Sequence, residues 1–91
     1  LGALLRLARR RRVALIEDAA EAWGARWRGS LVGTVGTIGC FSFFANKVVT
    51  TGEGGLLTTR SPTLARALRA LRDQAKSSRR AYFHAHLAFN Y

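Results

Sequence analysis

Lys47 stands at the end of an aromatic run and just ahead of a glycine-rich stretch, in FSFFANKVVTTGEGG, residues 41–55. An amine that leaves water beside apolar side chains can act as a nucleophile, forming covalent adducts with carbonyl carbons. The same residue also reads as an ordinary exposed lysine. Ser42, five residues earlier, offers a hydroxyl on the same segment. Upstream, the apolar run Val13 to Ile16 stops abruptly in Glu17-Asp18. Carboxylates at the carboxyl end of a buried strand lie where open α/β sheets bind ligands. Asp after a strand serves equally well as a helix N-cap.

Other candidates carry less. Gly52, Gly54 and Gly55 lack the spacing of a dinucleotide fingerprint or a P-loop and fit a turn or bulge instead. His84 and His86 are two apart, with no carboxylate or cysteine beside them, and do not read as a metal site.

The elements that must position these groups alternate between helix and strand. Leu1 to Arg11 puts Leu4, Leu5, Leu7 and Ala8 on a helical stripe with Arg opposite. Val13 to Ile16 reads as a strand buried on both faces, and Ala19 to Ala22 as a short helical turn. Gly24 to Gly29 reads as a short strand with a turn, and glycines 33, 36 and 39 break the next segment into turns. Cys40 to Phe44 and Gly54 to Thr59 are further strands. Ser61-Pro62 is an N-cap followed by proline at the first helical position, and Leu64, Ala67, Leu68 and Leu71 carry an amphipathic helix to about Gln74. Lys76 to Arg80 reads as loop. No N-cap precedes Leu1, and the apolar tail YFHAHLAFNY has no closing cap, so the chain is expected to be an interior piece of a longer protein.

Composition narrows the class. With 91 residues, one small domain is the upper bound, and 48% hydrophobic content with 10% aromatics is that of a globular chain. Fifteen basic against five acidic side chains give +10, carried by 13 Arg and 2 Lys. Such an excess can serve nucleic acid, but no recognition-helix, zinc-finger or aromatic nucleic-acid signature accompanies it, and solvated faces account for it more simply. The single cysteine, Cys40, excludes an internal disulfide and fits a reducing compartment. LGALLRLA is too short and too interrupted to span a bilayer, and its basic cluster follows the apolar stretch rather than preceding it. A soluble, cytoplasmic protein is expected.

The segments IEDAAEAWGA, GCFSFFANK, TTGEGG and HAHLAFNY, in this order and at these spacings, resemble the DegT/StrS family of sugar aminotransferases over residues 13–91. TTGEGG together with HAHLAFNY leans toward its perosamine-synthase-like members. The resemblance implies an α/β fold: part of the large domain of an aspartate-aminotransferase-type (fold type I) enzyme, with a largely parallel sheet and flanking helices. Residues 1–91 would be a fragment of that cofactor-binding domain, without the N-terminal segment or the C-terminal small domain.

The cofactor it implies is pyridoxal 5'-phosphate. Lys47 matches the family's Schiff-base lysine, and Asp18 the carboxylate that pairs with the cofactor's ring nitrogen. Glu21 matches the residue beside the ring oxygen or reacting centre, and Ser42 a hydroxyl donor to the phosphate. Asn90 matches an asparagine that reaches the phosphate of the neighbouring subunit in a homodimer. Singly, Ser42 reads as a plain strand hydroxyl and Asn90 as a turn residue. The implied reaction moves an amino group, from glutamate, to a keto group on a nucleotide-linked deoxysugar, within nucleotide-sugar metabolism for polysaccharide biosynthesis. Gly36-Thr37 stands where the family usually has Gly-Asp, and Ala88 where it has Gly before FNY. Two alternatives stand beside this reading: an inactive truncated remnant of such an enzyme, and a small basic nucleic-acid-binding module.

Overall fold

A computed structural model describes residues 1–76, 83, 84 and 86–88, which fall into two compact units, Leu1–Arg60 and Ser61–Tyr91. The first unit opens with α1 (Gly2–Arg11). Its end is set by Arg12, which adopts the left-handed conformation at φ 53° and donates its N–H to the Arg9 carbonyl at 3.3 Å. The Val13 N–H then reaches the Ala8 carbonyl at 3.0 Å, completing a Schellman-type closure.

That closure moves the first strand. The sequence pattern predicts it over Val13 to Ile16, but Val13 is spent on the helix end and β1 runs Ile16–Asp18. The expectation of burial on both faces also fails here. Val13 and Ile16 are 58% and 60% exposed, and in β1 only Glu17 turns inward.

The chain then makes an antiparallel hairpin of β2 (Arg26–Trp27) and β3 (Ser30–Leu31). Arg28 and Gly29 between them both have positive φ, 49° and 82°, the requirement of a two-residue turn matched to strand twist. β4 (Ile38–Ser42) returns parallel to β1, with Ile16 opposite Ile38 and Asp18 opposite Cys40. β5 (Gly55–Thr58) lies antiparallel on the other side of β4, with Ser42 opposite Gly55. The sheet order is β1-β4-β5, so these described strands form a mixed sheet, with one parallel junction and one antiparallel.

In the second unit α2 (Pro62–Arg72) starts as its sequence predicts. Ser61 accepts the Leu64 N–H at 3.2 Å, and Pro62 occupies the first turn, where its missing donor costs nothing. Among the described residues the buried apolar set is Ala8, Ala19 and Ala75, and no large side chain is fully buried. No helix among the described residues is long and apolar enough to cross a membrane.

Candidate active site

Glu17 and Asp18 are adjacent, so strand alternation sends them to opposite faces of β1. Glu17 is buried and accepts three backbone N–H groups from the loop before β4: Gly33 at 2.9 Å, Val35 at 2.8 Å and Gly36 at 2.6 Å. Burial pushes its carboxyl up, and the bonds from Gly36, Gly33 and Val35 together outweigh that and hold it below the usual carboxylate range. Nothing in the residue types marks Glu17 for this duty; the only trace is the glycine spacing at 33 and 36, which exposes backbone donors. Thr37 Oγ1 accepts the Leu15 N–H at 3.1 Å and so fastens the same loop to the segment entering β1.

Asp18 is exposed at the carboxyl end of β1, and its Oδ1 accepts the Ala20 N–H at 3.2 Å. One oxygen therefore caps the turn that carries Glu21. The other has no partner among the described residues.

Lys47 sits in the β4–β5 connection, residues 43–54. Four residues outside any strand separate it from β4, so it does not stand at the strand's end. The loop is gathered at the Phe43 carbonyl, which accepts from Thr51 N–H at 3.1 Å and from Thr50 Oγ1 at 2.9 Å. Phe43 N–H donates to the Gly54 carbonyl at 2.9 Å, and Lys47 N–H to the Phe44 carbonyl at 3.0 Å. The glycines contribute conformation: Gly52 and Gly54 have φ of 83° and 126°, which side chains rarely adopt. Held this way, the Lys47 side chain is only 15% exposed and forms an ion pair with Glu21, whose own side chain is 79% exposed. The ordinary surface lysine that the sequence left open is not what the fold makes.

Lys47, Glu21 and Ser42 line one cleft, together with Trp23, Phe41 and Val49. At about 50 Å³ it encloses the amine and its neighbours rather than a whole ligand. Ser42 closes β4, and its Oγ accepts the Phe44 N–H at 3.3 Å; a hydroxyl that accepts in this way still has a hydrogen to donate. Trp23 packs edge-to-face on Phe41 and Phe43, with ring centroids 5.2 and 5.4 Å away. The cleft thus lies beyond the carboxyl ends of two parallel strands, β1 and β4, as ligand sites in α/β sheets do. Asp18 is near it along the chain but does not line it. Asn90 lies outside the described residues. Of the two histidines, His84 places Nδ1 2.6 Å from the Gln74 carbonyl.

A largely buried amine, paired with a carboxylate and next to a hydroxyl, thus stands at the carboxyl ends of α/β strands. The DegT/DnrJ/EryC1/StrS aminotransferase family matches over residues 1–91, and the chain belongs to that family. It is 48% identical over 88 residues to GDP-perosamine synthase of Caulobacter vibrioides, and 42% identical over 88 residues to that of Escherichia coli O157:H7. Each match covers 97% of this chain and 24% of the relative, so the chain spans about a quarter of the length of these curated relatives. Among solved structures, DesV of S. venezuelae superposes with a TM-score of 0.84 at 41% identity, covering 98% of this chain and 24% of that one. A family aminotransferase from Brucella abortus superposes at 0.87 with 28% identity and the same coverage.

Proposed function

We propose that the whole protein is a pyridoxal-phosphate-dependent sugar aminotransferase of the aspartate-aminotransferase (fold type I) architecture, and that this chain belongs to its cofactor-binding large domain. Net, an amino acid gives its amino group and becomes a keto acid, while the keto group of a nucleotide-linked deoxysugar becomes an amine. The observation that carries this reading is the Lys47 amine, 15% exposed in a cleft wall shared with Glu21 and Ser42. Relatives at 42–48% identity named for GDP-perosamine support a nucleotide-linked amino sugar as product. Relatives named as L-glutamine:2-deoxy-scyllo-inosose aminotransferases, 45% and 50% identical, make glutamine the donor to test against our choice, glutamate.

The donor set fits the cofactor chemically: an amine for its aldehyde, a hydroxyl for its phosphate, and a strand-end carboxylate for its pyridine nitrogen. When bound, pyridoxal phosphate supplies an electron sink that stabilises a carbanion. Lys47 would hold the cofactor and then take and return the proton at the substrate carbon. Glu21, as its ion-pair partner, would steady the Lys47 ammonium between transfers. Asp18 would keep the ring nitrogen protonated, since a fixed negative charge favours the cationic form. Ser42 would donate to the phosphate. Asn90 would reach the phosphate bound in the partner of a homodimer. The low exposure of Lys47 keeps water from competing for the same protons.

The test is direct. The purified whole protein, incubated with [15N]glutamate and a GDP-linked 4-keto-deoxysugar, is expected to yield a 15N-labelled amino sugar and 2-oxoglutarate in equal amounts. Release of 2-oxoglutarate without labelled sugar would contradict the acceptor class, and no release would contradict the activity.

A further inference from the structure

Trp23 is used oddly for so large an apolar side chain. It is 47% exposed, yet it is gripped from two sides. Phe41 and Phe43 lie two apart around the end of β4 and meet the indole at interplanar angles of 78° and 69°. Neither ring stacks flat on it. Two edge-to-face contacts fix the indole's position while leaving nearly half of it uncovered. Trp23 lines the same cleft as Lys47 and Ser42.

We propose that Trp23 is a specificity-determining residue of this same site, its indole the apolar surface on which the ring of the keto sugar lies. The proposal rests on the aminotransferase reading above. The carbon to be aminated has to come within reach of the Lys47 amine, so it is the sugar ring, not the nucleotide end, that lies nearest the wall Trp23 shares with Lys47. A pyranose offers polar hydroxyls at its rim and C–H groups on its faces, and a deoxysugar adds a further apolar group. Sites for such ligands combine a rigid apolar or aromatic surface with a few polar groups that fix orientation. Here the rigid surface is Trp23, with Val48 and Val49 beside it on the cleft lining and Val48 90% exposed. The polar groups are Glu21, Ser42 and Lys47. An amino-acid donor presents little apolar face and has no need of the indole.

The two half-reactions separate these roles. In the whole protein, Trp23→Ala is expected to raise the KM for GDP-perosamine, run as amino donor in the reverse direction, by about tenfold, equivalent to about 1.4 kcal/mol. The glutamate half-reaction should stay within about twofold of wild type by the same scale. Trp23→Phe should recover most of the loss, because it keeps an aromatic face. Should Trp23→Ala fail to fold, Trp23→Leu, which keeps apolar bulk without that face, carries the same expectation. Equal losses in both half-reactions, or no change in either, would overturn the proposal. A wild type that reacts with glutamate but not with GDP-perosamine would overturn the substrate class on which it rests. A wild type that reacts with neither would overturn the aminotransferase reading itself.

Discussion

Glu17 Oε1 accepts the Gly36 N–H at 2.6 Å, joining the middle of β1 to the loop that leads into β4. With Gly33 and Val35 donating to the same carboxylate, a single buried side chain sets how β4 lies beside β1, and so how Ser42 and Asp18 emerge at the sheet's end. Glutamine cannot replace it. Its amide would present a donor to at least one backbone N–H, leaving a buried group unsatisfied at a cost of about 1–3 kcal/mol.

The clamp has a pH signature. The Glu17 carboxyl lies below its ordinary value when folded, so the unfolded chain holds that proton more tightly. Its stabilisation is therefore fully present above the unfolded value of about 4.3 and is lost as pH falls from there through the folded value. In the whole protein, the stability difference between wild type and Glu17→Gln, from urea titrations, should be largest above about pH 4.3 and shrink below it. A difference that does not vary with pH would mean that the charge is not what the loop requires.

Gly39 is packed by backbone alone. A Cβ at this position would run into the Gly33 carbonyl, and neither partner is a flexible side chain that can turn aside. Gly39→Ala should cost more than about 3 kcal/mol, at the severe end for single substitutions. Thermal melts of the whole protein check this, and a shift no larger than that of an exposed control such as Ala67→Ser would refute the packing.

Much of this was readable in the residues, and the failures have identifiable causes. Ser61-Pro62 started a helix as its chemistry requires, because capping is a local interaction. Lys47 and Ser42, picked from residue type and spacing, share one cleft with Glu21, which the family resemblance pointed to. The strand after α1 was misread because Val13 looks like a strand residue, while its N–H is taken by the Ala8 carbonyl two residues past the helix. Periodicity cannot register a bond made by backbone. Glu17 was read as a carboxylate at a ligand-binding strand end, and its clamp on the loop was missed for a similar reason: its partners are three N–H groups, which every residue but proline carries. The strand direction of β5 was likewise invisible, since the β4–β5 loop reverses the chain through Gly52 and Gly54 without a two-residue turn signal.

Asp18 is expected to act on the reaction rather than on the fold. It is exposed, and its one hydrogen bond among the described residues, from the Ala20 N–H, is also open to the carbonyl oxygen of asparagine. In the whole protein Asp18→Asn should keep near-normal stability and part of its cofactor affinity, while the proton-abstraction half-reaction slows by roughly 10²-fold or more, the scale on which positioned acid–base groups act. Single-turnover absorbance measurements with glutamate check the rate. Near-normal turnover would mean that another group protonates the ring.

The 91-residue chain by itself should not be a working enzyme. Among its described residues the buried apolar set is three alanines, while Leu4, Leu7, Ile16, Leu56 and Leu57 are 39–60% exposed. So little burial does not offset a backbone ordering cost of about 1–2 kcal/mol per residue. Circular dichroism of the isolated chain should show no cooperative thermal transition, and added pyridoxal phosphate should produce no shifted absorbance band. A cooperative melt accompanied by transaminase activity would refute this.

The central claim is that the Lys47 amine carries the cofactor. Borohydride reduction of the whole, cofactor-loaded protein, followed by proteolysis and mass spectrometry, reads this directly. The account predicts a reduced pyridoxyl adduct on the peptide containing Phe41 to Lys47, fixed at Lys47, and none after Lys47→Ala. An adduct on Lys76, or on neither lysine of this chain, would contradict it.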